Sequence, residues 1–109
     1  MNLSSFPFET IDWSAIPRED HKGETGIAFW QTKMMNNIRV RKVEYSAGYK
    51  ADHWCNKGHV LLCLEGEMTT ELEDGRAMQL KEGMYYFVGD NNEAHRSSTE
   101  DGCKLFIVD

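Results

Sequence analysis

Three residues able to bind a metal, His53, Cys55 and His59, fall within a stretch of seven. Imidazole nitrogen and thiolate sulfur are the donors that zinc and other late transition metals prefer. Side chains alternate faces along a strand, so His53 and Cys55, two apart, point the same way and Trp54 points the other. Asn56-Lys57-Gly58 is turn chemistry, with Gly58 free to adopt positive φ. His59 then opens the next strand across from the first pair, and the tight connection brings three donors within reach of one point. Singly, each has a plainer reading: a hydrogen-bonded polar histidine, or a cysteine acting as a small buried hydrophobe. Three on one face across one turn point instead to a metal site.

The elements that would position these groups are strands. Residues 26–31 read as a short aromatic strand, and Asn36-Asn37 as a turn. Residues 38–45 alternate, with Ile38, Val40, Lys42 and Glu44 on one face and Arg39, Arg41, Val43 and Tyr45 on the other. Arg39 and Arg41 read first as a solvated strand face, with pairing to acidic neighbours or contact with an anionic ligand as the alternatives. Residues 51–55, 59–65 and 67–73 follow as separate strands, and Asp74-Gly75 is a strong hairpin signal before 76–80. Residues 84–88 read as a strand buried on both faces. Residues 94–98 and 103–108 complete about nine short strands, the pattern of an all-β sandwich or barrel. Residues 1–24 read as an irregular arm broken by Pro7 and Pro17, and 25–109 as the barrel. Phe6, Phe8, Ile11, Trp13 and Ile16 are too apolar for a solvated tail, so the arm is expected to pack on the barrel or on a partner subunit. One helical turn is expected at 12–16, and His21 reads as a solvated loop histidine.

The chain has 109 residues and a net charge of −6, from 12 Lys and Arg against 18 Asp and Glu. That size suits one domain with a modest core. No basic cluster marks a nucleic-acid or anionic-membrane partner. No basic and apolar leader opens the chain, and no apolar run reaches the ~20 residues of a transmembrane helix. Cys55, Cys63 and Cys103 form no spaced framework, which suggests a reducing, cytoplasmic setting with free or metal-bound thiols.

Gly48, His53, Cys55, His59 and Gly66, followed by Gly83, Gly89 and His95, resemble the two motifs of the cupin superfamily, small barrels of the jelly-roll or double-stranded β-helix kind. His53 matches the first histidine of the first motif. Cys55 stands at the second histidine, and His59 at the glutamate. His95 matches the histidine of the second motif. More narrowly, Asp52-His53-Trp54-Cys55, Lys57-Gly58-His59 and His95-Arg96-Ser97-Ser98 resemble small single-domain bacterial cupins named for their Asp/His/Cys/Trp motif. The resemblance implies an all-β single-domain cupin with a metal held by His53, Cys55, His59 and His95. Three imidazoles and a sulfur suit zinc, with nickel, iron and copper as alternatives. Tyr45, Tyr49, Cys63, Tyr85, Tyr86 and Arg96 are candidates for lining the cavity.

Two functions follow from that reading. One is a metal-dependent enzyme acting on a small molecule in the barrel mouth. The other is a non-catalytic module that binds a small ligand or senses redox state, with a structural metal or none. The apolar arm and the strand edges suggest a homodimer.

Overall fold

In the computed structural model, which describes residue 3 and residues 5–109, eight strands form two sheets joined by one long strand. β1 (Glu19–Lys22), β2 (Ile27–Met35) and β3 (Ile38–Tyr45) form an antiparallel meander. β8 (Cys103–Val108) pairs with β3 and with the first half of β4 (His59–Leu72), whose other neighbour is β6 (Tyr85–Val88). The second half of β4 lies between β5 (Ala77–Lys81) and β7 (His95–Ser98) in the smaller sheet. All these pairings are antiparallel. Among the described residues no helix is long and apolar enough to cross a membrane.

β4 serves both sheets because it bends in its middle. The register slips between Cys63 and Glu65, a bulge that adds a residue on one strand. Gly66 follows with φ +79°, and a Cβ there would lie 2.5 Å from the Gly102 carbonyl oxygen. Only glycine meets both the left-handed backbone and the close approach. Residues 59–65 and 67–73 are therefore one bent strand, where the sequence suggested two.

The core is the alternate, inward residues of these strands. Ala28, Val43, Leu61, Cys63, Leu105 and Ile107 are almost fully buried, with Met68 and Leu80 closing from the smaller sheet. Tyr45 and Tyr49, both buried, stack with ring centroids 4.2 Å apart. Asp74-Gly75 makes the expected hairpin, with Gly75 at φ +96° and the Leu72 amide donating to the Arg76 carbonyl at 2.8 Å.

Several expectations change. The segment 51–55 is not a strand: Asp52 and His53 bend, and only Lys50 and Cys55 make isolated bridges. β6 is buried on one face only, since Tyr85 and Phe87 are 60% and 75% exposed. The arm is not irregular throughout, because β1 lies within 1–24 and adds a strand to the sheet. His21 on that strand stacks on Trp30 at 3.9 Å. The arm does lie on the barrel. Gln31 donates to the carbonyls of Trp13 and Ile16 at 2.7 and 2.9 Å, and Asp12 caps a single 3₁₀ turn, Trp13–Ala15. Yet Phe8 is 95% exposed, so that side chain is not buried against this chain.

Candidate functional site

His59 opens β4 on the inward face it shares with Leu61 and Cys63. Its neighbour in register is Val88, and Tyr86 lies opposite Leu61, so Tyr86 also points inward. His95 opens β7 in the smaller sheet. The two histidines meet inside the barrel, Nε2 to Nε2 at 3.1 Å, with imidazole planes nearly perpendicular. The Tyr86 hydroxyl donates to His59 Nε2 at 2.9 Å. Cys55 joins them because its backbone pairs with His95: each amide donates to the other's carbonyl, at 2.7 and 3.0 Å. That antiparallel pairing places both side chains on one face, where the thiol and the imidazole shift one another's ionisation.

Each imidazole has a second partner. His95 Nδ1–H donates to the Glu93 carbonyl at 2.8 Å. His59 Nδ1 is buried without a hydrogen bond, 3.7 Å from Asp109 Oδ2. The Asp109 carboxylate, fully buried, receives two bonds from Arg39 at 2.9 and 3.0 Å and one from Arg41 at 2.9 Å. A carboxylate facing His59 Nδ1 favours the proton on that nitrogen. Glu93 likewise fixes the proton of neutral His95 on Nδ1. The two Nε2 lone pairs then face one another, an arrangement that calls for a shared positive charge.

The charges follow from these contacts. The hydrogen bond with Cys55 raises the His95 pKa above its ordinary value, against burial and with help from the Glu93 carbonyl. The hydrogen bond with His95 lowers the Cys55 pKa, which burial opposes. The pair therefore leans toward thiolate and imidazolium. Burial lowers the His59 pKa, which Asp109 partly opposes and His95 reinforces, so His59 leans toward neutral. Burial holds the Tyr86 hydroxyl protonated, well above the usual phenol range.

A cavity of about 220 Å³ opens beside this cluster, walled by Leu72, Met78, Leu80, Tyr86 and Val88 among others, with His95 and Thr70 as polar points. Thr70 Oγ1 is buried and has no hydrogen-bond partner. Arg76, at the same cavity, is held by Asp74 and Glu93. A second cavity, about 450 Å³, is lined by His59 with Lys57, Gly58, Asp90 and Asp109. His95 thus lines the first cavity and His59 the second.

The expected ligand set is only partly gathered. Cys55, His59 and His95 come together; His53 does not. Its side chain is 77% exposed and bonded to Asp52 Oδ1 at 2.6 Å. The alternation argument failed because residues 52–53 bend, and a two-residue spacing puts side chains on one face only in extended backbone. Gly58 does serve the turn, through close approach rather than positive φ: a Cβ there would lie 2.5 Å from the Asp90 amide. Among the described residues no three His, Cys, Asp or Glu side chains are placed to hold a metal ion together. A four-ligand centre does not fit this arrangement.

Of the lining candidates, Tyr86 faces the first cavity. Tyr45, Tyr49 and Cys63 belong to the core, and Tyr85 points outward. Arg96 lies over Trp54, 4.5 Å from the ring centroid, and pairs with Glu71 at 3.3 Å. Sequence reasoning missed Asp109. Its signal was the Arg39/Arg41 pair, which is not a solvated face: Arg41 is only 6% exposed.

No protein-family model and no curated protein matches the sequence. Solved structures do. A protein from Neisseria meningitidis is 28% identical, with a TM-score of 0.57, over 73% of this chain and 81% of that one. A cupin-2 domain protein from Shewanella frigidimarina is 19% identical, with a TM-score of 0.60, over 73% and 78%. This chain has the cupin fold. The polyketide cyclase RemF from Streptomyces resistomycificus superimposes over more of this chain, 94% of it and 78% of the cyclase, with a TM-score of 0.78 at 17% identity. In this cupin-like barrel, His59, Tyr86 and His95 meet in the interior, with Tyr86 and His95 lining the smaller cavity.

Proposed function

We propose that this cupin is an enzyme that transfers a proton to or from a compact, largely apolar molecule held in the cavity beside His95. The observation that carries the reading is the Cys55–His95–His59–Tyr86 cluster, in which neighbouring pKa values are driven apart at a cavity wall. Titratable groups pushed in opposite directions in one pocket are the arrangement that acid–base chemistry needs. The apolar wall and the modest volume favour a small substrate without bulky charge. Arg76 is already held by two carboxylates, so it offers little to an anionic group.

In this reading His95 Nδ1 stays bonded to Glu93, which leaves Nε2 as the working nitrogen. The Cys55 thiolate stabilises the imidazolium. Neutral His59 accepts the Tyr86 hydrogen bond and fixes the orientation of that hydroxyl. Thr70 Oγ1 offers a second hydrogen bond to an oxygen of the bound molecule. That one structural neighbour is a polyketide cyclase agrees with a catalytic reading. The test is exchange of α-protons for deuterium in small apolar ketones, followed by proton NMR. His95→Gln should reduce the exchange at least tenfold, and Tyr86→Phe by less. Exchange that survives His95→Gln unchanged would remove the proposal.

A second reading has its own support. Two Nε2 lone pairs 3.1 Å apart are close to the roughly 3.3 Å that separates two nitrogens on a tetrahedral zinc with Zn–N near 2.0–2.1 Å. A transition metal, zinc foremost and nickel, iron or copper behind it, would then be held by His59 and His95. Elemental analysis of protein purified without a histidine tag tests this. Metal near one per chain should be lost in His59→Ala and His95→Ala but kept in His53→Ala. A metal-free wild-type protein would reject the reading.

A further inference from the structure

β5 and β6 are consecutive in the chain, yet each pairs with β4 and, among the described residues, with no other strand. One edges the smaller sheet and the other the larger, so their free edges border a seam in the barrel wall. The cavity beside His95 lies at that seam. Met78 and Leu80 of β5 line it from one side, and Tyr86, Phe87 and Val88 of β6 from the other. Both ends of the seam are tied. At one end the turn between the strands is fixed to β4: the Gly83 amide donates to the Cys63 carbonyl and the Cys63 amide to the Met84 carbonyl, each at 2.9 Å. At the other, Arg76 before β5 pairs with Glu93 after β6, and the Glu73 amide donates to the Ala94 carbonyl at 3.3 Å. Between those ties stand Met78 and Phe87.

The two lips are apolar and face water. Met78 is half-exposed and Phe87 largely so, where free strand edges ordinarily carry charge or proline. A methionine is also the side chain best able to adapt to a varied apolar partner. Arg76, which lines the same cavity, is already matched by Asp74 and Glu93 and offers no free charge to an anion. The polar groups are at the buried end. Thr70 lies opposite Met78 in register, and Leu72 opposite His95. Thr70 and His95 are both buried, and Thr70 Oγ1 has no hydrogen-bond partner. The cavity thus runs from a buried polar end to an exposed apolar one.

Its size requires that opening. At about 220 Å³ the space lies below the ~300 Å³ at which pockets that enclose most of a ligand begin. A larger molecule places one end inside and leaves through the seam. The compact molecule of the preceding reading is then the reacting end of a longer one.

We infer that the ligand of this site is a carbonyl compound with an unbranched apolar tail, its oxygen bonded to Thr70 and its tail leaving between Met78 and Phe87. The head position rests on the proton-transfer reading; the tail rests on the seam. Titration of the isotope-labelled full chain with methyl ketones of four, six and eight carbons, followed by amide chemical shifts, tests it. All three should shift Thr70, Leu72 and His95. A methylene removed from water is worth a factor of up to about four in affinity, so the eight-carbon ketone should bind at least tenfold tighter than the four-carbon one. Met78→Gln and Phe87→Gln should each cut that ratio at least threefold, and either carries the test if the other folds poorly. Met34→Gln, at an exposed methionine of β2, should keep it. Affinity indifferent to chain length, no shifts at Thr70 and His95, or a ratio unchanged in the folded lip variants would overturn the inference. Chain-length preference without α-proton exchange would remove the proton-transfer reading and support the seam. Exchange indifferent to chain length would remove the seam and support the reading.

Discussion

Asp109→Asn replaces a buried carboxylate with an isosteric amide and leaves Arg41 without its counter-charge. Asp109 is fully buried and Arg41 nearly so. Breaking a buried ion pair from one side costs about 3–5 kcal/mol, because the remaining charge keeps its desolvation penalty. Arg39 is partly exposed, so its share is smaller. Unfolding entropy near 2.1 cal/mol/K per residue makes each kcal/mol worth roughly 4 °C in a chain of this length. Asp109→Asn should therefore lower the melting temperature by about 13–20 °C, measured by circular dichroism at neutral pH. The pH dependence supplies a second arm. Burial raises the Asp109 pKa, but the nearby His59 ring, the hydrogen bonds from Arg39 and the charges of both arginines outweigh it, and the group is held well below the usual carboxylate range. A depressed carboxylate gives its full stabilisation above its unfolded value, about 3.9, and loses it as pH falls through the folded value. Wild type should lose stability steeply below about pH 4, and Asp109→Asn should show a shallower decline. A variant that melts within ~3 °C of wild type would refute the buried-pair reasoning. So would an unchanged acid limb.

Other perturbations separate neighbouring arguments. Iodoacetamide should label one cysteine in the folded protein, Cys55, and His95→Gln should slow that labelling several-fold. Burial raises the thiols of Cys63 and Cys103, the latter to about 12, and mass mapping reads the site directly. Gly66→Ala should destabilise more than Gly75→Ala. Both impose a left-handed backbone worth about 1–2 kcal/mol, but only Gly66 also meets a carbonyl oxygen, at 2.5 Å; equal urea midpoints would count against that clash. Leu105→Ala, at a fully buried position, should cost about 2–5 kcal/mol, and a loss below ~1 kcal/mol would show that the core can collapse around it. Thr70→Val should leave the fold intact, since its hydroxyl has no protein partner, and a loss above ~1 kcal/mol in chemical unfolding would reveal one.

Local chemistry made most of the strands legible. The alternation at 38–45, the Asp74-Gly75 hairpin and the last strand at 103–108 all appear where period and turn residues put them. The misses share a cause. Residues 51–55 have strand-like spacing but no neighbour to pair with along their length, so only Cys55 reaches a partner, His95, forty residues later. Residues 84–88 are uniformly apolar, and uniform hydrophobicity does not say whether the outer side of a sheet is covered by this chain or left open. β1 was hidden by the charged run at 18–20, because an edge strand can be polar.

Residue types and their alternation alone determined that the chain would be built of short strands around a small core. Spacing alone could not determine which side chains meet. Cys55 and His59 are close in sequence, but they share a centre only because Cys55 pairs with His95 of β7 in the smaller sheet, while His59 opens the half of β4 that belongs to the larger one. His53 is nearer still in sequence and stands outside, turned to solvent by one bend. Arg41 and Asp109, 68 positions apart, form the buried charge pair behind His59 because β3 and β8 are neighbours. Period and composition describe each strand's two faces; only the folded sheet decides what each face meets.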